Sequence, residues 1–131
     1  MQEKNLFEYA VIRIVPQVER EEFLNVGVVV YCAKTKFLAT KFKLDVDRLQ
    51  AFCNHCDSLE IEEYLHSFER ICIGGIDAGP IGQLPMPDRF RWLTATRSTV
   101  VQTSKVHSGL TDDLSEILRN LFDQLVAVNT R

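Results

Sequence analysis

A chain of 131 residues has the length of one ordinary domain, and we expect a single domain over residues 1–131, with its core within residues 7–127. Its composition, 46% hydrophobic and 25% charged, excludes the disordered and fibrous classes. The formal net charge of −3 lacks the basic balance typical of general nucleic-acid binding. The sequence shows no signal-peptide core, and its longest apolar run, Val26 to Ala33, is far shorter than the ~20 residues of a membrane helix. These features predict a cytoplasmic protein without a membrane segment.

The first predicted strand runs from Phe7 to Val15 and stops at Pro16. Both of its faces are mostly apolar, which favours a position inside the sheet. Arg13 projects from one of these faces and therefore needs a partner, because an unpaired buried charge is very costly.

The second predicted strand, Phe23 to Cys32, contains the most apolar run of the sequence and is expected at the centre of the sheet. Gly27 inside it predicts a bulge or a close approach by another backbone. Strict alternation would direct one apolar face toward a helix layer: Leu24, Val26, Val28, Val30 and Cys32. The third strand, Phe37 to Leu44, has the alternation of a half-solvated antiparallel strand, so the three strands predict a meander.

Two helices are predicted next, because Asp45 and Asp57 are suitable N-caps. The second helix carries an apolar stripe at steps of three and four residues: Ile61, Tyr64, Leu65, Phe68, Ile71 and Cys72. Gly74 and Gly75 are expected to end it in a left-handed cap.

Residues 75–88 contain several glycines and prolines and predict one long irregular segment, either a packed loop or a lid. Phe90 to Thr96 and Thr99 to Val106 are interpreted as a second hairpin. A last helix begins after Thr111 or Asp112. The predicted fold class is therefore α+β, an antiparallel sheet of about five strands with about three helices packed mainly on one face.

Several motifs together resemble a bacterial family catalogued as domain of unknown function 3037. They are Tyr9-Ala-Val-Ile-Arg-Ile-Val-Pro16, Glu19-Arg-Glu-Glu-Phe-Leu-Asn-Val-Gly-Val28, Gly74-Gly75 with Ala78-Gly-Pro-Ile-Gly82, Arg89-Phe-Arg-Trp-Leu93, Arg97-Ser-Thr99 and Gln102 to Gly109. The resemblance covers about residues 7–126. It implies a stand-alone cytoplasmic domain with no assigned activity. It also implies a protein partner, a kinase-like protein of the persistence-toxin type whose genes neighbour those of the family.

A set of polar residues could converge at one end of the sheet and bind an anionic ligand, since guanidinium groups match phosphate and carboxylate geometry. The candidate binding residues are Arg13, Glu22, Asn25, Arg97, Ser98, Thr99, Gln102 and His107. The structural alternative is that Arg13 and Glu22 form an ion pair, Asn25 satisfies a bulge, and Ser98 and Thr99 cap a turn.

Cys53-Asn-His-Cys56 has the two-residue spacer of a zinc ligand pair, and His66 or Cys72 could complete four ligands. Because the sequence offers no second tight pair, we predict no metal site and no cofactor. In a reducing cytosol the cysteines are expected to be free thiols or metal ligands rather than disulfides.

These observations favour a non-catalytic binding or accessory module for a protein partner or an anionic ligand. It would use the polar end of the sheet or the 75–88 segment. The alternative is a small enzyme acting on a phosphorylated or carboxylated substrate. In that enzyme His107 would be the acid–base group, and Arg13 and Arg97 would clamp the anion.

Overall fold

The computed structural model describes residues 3–97 and 99–127. Its helices and strands follow in chain order: β1 Asn5–Ile14, β2 Leu24–Cys32, β3 Phe37–Phe42, α1 Val46–Phe52, α2 Ser58–Ile73, α3 Gly79–Gly82, α4 Met86–Thr94, β4 Val101–Thr103, β5 His107–Thr111 and α5 Leu114–Leu125. The α+β class and the five-stranded antiparallel sheet are confirmed. The helix count was too low, because the described residues form five helices rather than about three.

The sheet has the order β3-β2-β1-β4, and β5 pairs with the other half of the same edge of β1. Ser104 lies at the gap between β4 and β5. Its amide donates to Val11 O at 2.8 Å, and its hydroxyl oxygen accepts from Val11 N at 2.9 Å. This buried serine therefore keeps β1 hydrogen-bonded where the edge strand is interrupted.

A bulge at the start of β2 changes which side chains face which layer. Ile12 pairs with Gly27, but Arg13 pairs with Asn25, so Val26 is an extra residue. A Cβ on Gly27 would lie 2.7 Å from Phe42 Cβ and 2.9 Å from Lys41 O, so the bulge and a close backbone approach, which the sequence offered as alternatives, occur together. The prediction of one uniform apolar face was wrong, because the bulge reverses the alternation there.

The core consists of two clusters, one on each face of the sheet. The larger contains Ile12, Ile14, Val26 and Val29 and is covered by buried side chains of α1, α2 and α4, including Leu49, Leu65, Phe68, Phe90 and Leu93. The smaller contains Val28, Val30 and Cys32 and is covered by Leu121 and Phe122 of α5. Strand β2 is thus buried on both faces, as expected for a central strand.

The predicted second hairpin was wrong. Phe90 to Thr94 belong to α4, and within Thr99 to Val106 only Val101–Thr103 form a strand, β4, which pairs with β1. Pro87 is accommodated in the first turn of α4, where its missing N–H costs nothing. Arg89, Phe90 and Leu93 then bury one side of the helix. The aromatic residues suggested a strand, but helical spacing and tertiary burial decided the outcome.

The N-caps Asp45 and Asp57 are confirmed: their side chains accept from Arg48 N at 3.1 Å and from Leu59 N at 3.0 Å. The last helix is capped by Asp113, whose carboxylate accepts from Glu116 N at 3.0 Å, rather than by Thr111 or Asp112. Within the described ranges, no helix combines the length and the apolar character needed to cross a membrane.

Candidate functional site

Arg13, Asn25 and Gln102 lie side by side on three neighbouring strands, since Arg13 pairs with both of the others. The guanidinium of Arg13 lies 3.9 Å from the centre of the Phe23 ring. Asn25 donates to Leu125 O at the end of α5 over 3.1 Å, and Gln102 donates to Thr99 O over 2.8 Å. The structure therefore brings three of the predicted residues into one row.

The other predicted residues are placed elsewhere. Arg97 stacks on the indole of Trp92, with its guanidinium carbon 3.8 Å from the ring centre. His107 is exposed beside Tyr9, and its pairing with Tyr9 puts it four residues along β1 from Arg13, about 13 Å away. The three groups of the enzyme hypothesis thus contact three different aromatic rings.

Glu22 forms an ion pair with Arg20 rather than with Arg13. Arg20 Nε donates a hydrogen bond to the Glu22 carboxylate, and this bond raises the pKa of Arg20. The Thr99 hydroxyl donates to Val101 O over 2.7 Å. Ser98 lies outside the described residues. The anionic-ligand hypothesis remains a prediction.

Three neighbouring clefts that share lining residues, together called the groove, were not predicted from the sequence. The amide cleft, about 380 Å³, is lined by residues that include Gln17, Arg20, Glu22, Gln50 and Asn54. The apolar cleft, about 460 Å³, is lined by residues that include Ile61, Tyr64, Thr99, Val100 and Val101. The aromatic cleft, about 270 Å³, is lined by Tyr64, Ser67, Phe68, Ile71, Trp92 and Arg97.

Shared lining residues show that the three clefts are neighbours. Pro16 and His55 line both the amide and the apolar clefts, and Tyr64 lines both the apolar and the aromatic clefts. Tyr64 is 43% exposed and Trp92 is 37% exposed, although both are large aromatic residues. Of the predicted site residues, Glu22, Thr99 and Arg97 lie along this groove.

The turn between α1 and α2 lies at the junction of the amide and apolar clefts. It joins Cys53 to Cys56 in a disulfide, so the expectation of free thiols or metal ligands is corrected for this pair. The turn brings the two cysteines together because Cys53 ends α1 and Cys56 N donates back to Cys53 O at 3.4 Å. Both ring nitrogens of His55 lie within 3.6 Å of Cys53 Sγ.

The histidine and cysteine proposed from sequence to complete a zinc site lie elsewhere. His66 sits edge-on to Phe42 and near Glu62 and Glu69 on the surface of α2. Cys72 is a buried free thiol in the larger core cluster, where it behaves as a small hydrophobe.

Arg89 is a buried residue to which the sequence analysis assigned no role. Its guanidinium donates to Ile71 O at 2.9 Å, to Cys72 O at 2.8 Å and to Leu84 O at 3.0 Å. It therefore supplies hydrogen bonds to carbonyl groups at the C-terminal end of α2. Its positive charge also interacts favourably with the negative end of the helix dipole. Gly74 has φ +80°, which confirms a glycine end to α2, but its ψ of 177° is not that of a left-handed cap.

Burial raises the pKa of the Cys72 thiol from 9.0 to about 12, and Arg89 lowers it only in part. The folded state therefore keeps this thiol protonated at a pH at which the unfolded chain ionises it. The stability that results is fully present below about pH 9 and is lost as the pH rises toward 12.

We expect the free-energy difference between the wild type and Cys72→Ala to narrow by about 1 kcal/mol between pH 9 and pH 10, because the unfolded thiol is still partly protonated at pH 9. Urea unfolding at both pH values measures this difference. If the free energy of unfolding changed equally with pH in the two proteins, the raised pKa of Cys72 would be contradicted.

The fold and the groove define a small α+β domain with a surface cleft beside a buried antiparallel sheet. The family comparison matches residues 9–126 to the family described as Protein of unknown function (DUF3037). The chain belongs to this family, and the resemblance seen in its motifs is confirmed. The comparisons with curated proteins and with solved structures found no match.

Proposed function

We propose that this protein is a non-catalytic binding module whose groove holds an extended segment of a protein partner. The observation that carries the proposal is the grouping of Tyr64, Trp92 and Arg97 around the aromatic cleft. These three residue types are the ones most enriched where protein interfaces gain most of their binding energy. Two exposed aromatic rings at a cleft gain stabilisation when a partner covers them.

The chemistry of the groove suggests what the segment contains. An apolar side chain fits the aromatic cleft, where Phe68 and Ile71 form the floor. A carboxylate suits Arg97, because its guanidinium lies over the indole of Trp92 and donates from Nη2 to Trp92 O, which leaves its other N–H groups for a planar anion. The polar lining of the amide cleft supplies hydrogen-bonding groups for the peptide backbone.

The test begins with purified protein and a displayed library of random peptides. The kinase-like partner implied by the family resemblance is screened as overlapping peptides in the same assay. We expect selected sequences to pair an apolar residue with a nearby acidic residue. The emission of Trp92, which is the single tryptophan, should change on binding because its indole lines the cleft.

Tyr64→Ala is expected to weaken binding of a selected peptide by about 30-fold, the loss typical of an interface hot spot. Arg97→Ala is expected to weaken it by about tenfold with little change in melting temperature, since Arg97 packs on the surface. Fluorescence anisotropy of a labelled peptide measures both effects.

Leu59→Ala is the matched control for Tyr64→Ala, because Leu59 lies on the same helix, is 73% exposed and contributes to none of the three clefts. It should bind like the wild type. The proposal would be overturned if the library yielded no binder. It would also be overturned if Tyr64→Ala left the affinity of a selected peptide unchanged.

A further inference from the structure

We infer that the turn Cys53-Asn-His-Cys56 binds one Zn²⁺ ion when its disulfide is reduced. One ligand atom each from Cys53, His55 and Cys56 lies within 4.8 Å of the other two. Two thiolate sulfurs and an imidazole nitrogen form a ligand set that zinc prefers. The inference goes beyond the proposed function and does not depend on it.

The distances suit a tetrahedral ion. Zinc–sulfur bonds of about 2.3 Å and zinc–nitrogen bonds of about 2.0 Å place neighbouring donors about 3.5–4 Å apart. The ring nitrogens of His55 already lie in this range, at 3.5 and 3.6 Å from Cys53 Sγ. The two sulfur atoms are bonded to each other in the disulfide, so they must move apart after reduction by rotation of the two cysteine side chains. The two cysteines frame the turn between α1 and α2, with a Cα–Cα distance of 5.7 Å, so the backbone holds them in place.

The fourth coordination position opens toward the groove. His55 and Cys56 line the apolar cleft, and Cys56 is only partly buried. The nearby carboxylate of Asp57 is engaged as the cap of α2, accepting from Leu59 N and Glu60 N. Three protein ligands and an open position are the arrangement of zinc sites that exchange a water or a substrate group.

The disulfide and the metal exclude each other, because the sulfur atoms that would bind zinc are bonded to one another. A dithiol reductant opens the disulfide by transferring two electrons and two protons. This forms the thiols of Cys53 and Cys56 and converts the reductant to its own disulfide. Zinc binding then displaces the two thiol protons and leaves two thiolate ligands.

The experiment uses the full chain in two states, oxidised and reduced. Reduction with a phosphine, followed by its removal under argon, avoids competing thiols. Titration with Co²⁺ then reports ligation through a thiolate charge-transfer band and the visible bands of a tetrahedral ion. Competition with Zn²⁺, followed by native mass spectrometry, gives the stoichiometry.

We expect the reduced protein to bind one ion per chain and the oxidised protein to bind none. Cys56→Ser should abolish the charge-transfer band of a two-thiolate site. His55→Ala should lower the affinity by at least about 100-fold, above the loss caused by removing an outer-shell partner. His66→Ala and Cys72→Ala are the matched controls and should bind like the wild type.

The comparison of the two redox states of the wild type needs no variant, so it decides the question even if a substitution disturbs folding. Failure of the reduced wild type to bind Co²⁺ or Zn²⁺ at micromolar concentration would overturn the inference. Equal binding by Cys56→Ser would also overturn it. Either result would leave Cys53–Cys56 as a structural crosslink between the two helices.

Discussion

Arg89→Met is expected to lower the free energy of unfolding by about 3–4 kcal/mol, because three carbonyl groups lose a charged donor at once. Methionine keeps most of the apolar volume, so the loss reports the guanidinium rather than a cavity. The contacts join the end of α2 to α4, and Arg89 is only 8% exposed. Urea denaturation followed by circular dichroism measures the change.

Arg91→Met is the matched control, since Arg91 lies on the same helix but is exposed and contacts Asp88 at 3.3 Å. A surface ion pair of this kind contributes at most about 1 kcal/mol. Arg89→Lys should also be clearly destabilised, because an ammonium cannot reproduce the fork of donors. Equal losses for Arg89→Met and Arg91→Met would show that the buried guanidinium does not hold the end of α2.

Gly27→Ala is expected to lower the free energy of unfolding by about 2–3 kcal/mol, near the upper end of overpacking effects. The added Cβ would lie 2.9 Å from the backbone oxygen of Lys41, and a backbone atom paired in the sheet cannot move aside cheaply. Shortening Phe42 to alanine should not restore stability, because the other close contact is with Phe42 Cβ itself.

The direction of the stability change in Gly27→Ala distinguishes a crowded glycine from an unconstrained one. At an unconstrained position in a strand, replacing glycine with alanine stabilises by roughly 0.5–1 kcal/mol. A neutral or stabilising Gly27→Ala, measured by thermal and urea unfolding, would contradict the close pairing of β2 with β3. Gly27→Val should be worse than Gly27→Ala, although valine is the better strand former.

The local elements of the first half of the chain could be predicted because single residues determine them. Pro16 ends β1, and Asp45 and Asp57 begin α1 and α2 through hydrogen bonds within three residues. The faces of β2 could not be predicted by alternation, because the bulge at Val26 depends on pairing with β1. Gly27 signalled an irregularity there, but not how the side chains divide between two layers.

Helix α4 shows a different limit of prediction. The residues of Phe90 to Thr94 favour a strand locally, whereas burial of Arg89, Phe90 and Leu93 against α2 and the sheet selects a helix. Two cues were present in the sequence: Pro87, which suits a first helical turn, and the four-residue spacing of Arg89 and Leu93. They were outweighed by the glycines and prolines that precede them.

The groove could not be predicted because its parts come from distant segments. Tyr64 was interpreted as part of the core stripe of α2, but it stands at the edge of that stripe and remains exposed. Trp92 was placed in a strand, so its meeting with Tyr64 across the aromatic cleft had no counterpart in the sequence. Cys53 and Cys56 were recognised as a pair, but the return of His55 to Cys53 Sγ required the turn.

The most direct test of the proposed groove is an NMR titration of the labelled protein with a selected peptide. We predict that the largest chemical-shift changes will fall on residues that line the apolar and aromatic clefts: Val100, Tyr64, the indole N–H of Trp92, and Arg97. Residues of α5 on the opposite face of the sheet should not respond. Shifts concentrated on α5 and Asn25, with the Trp92 indole unchanged, would contradict the account.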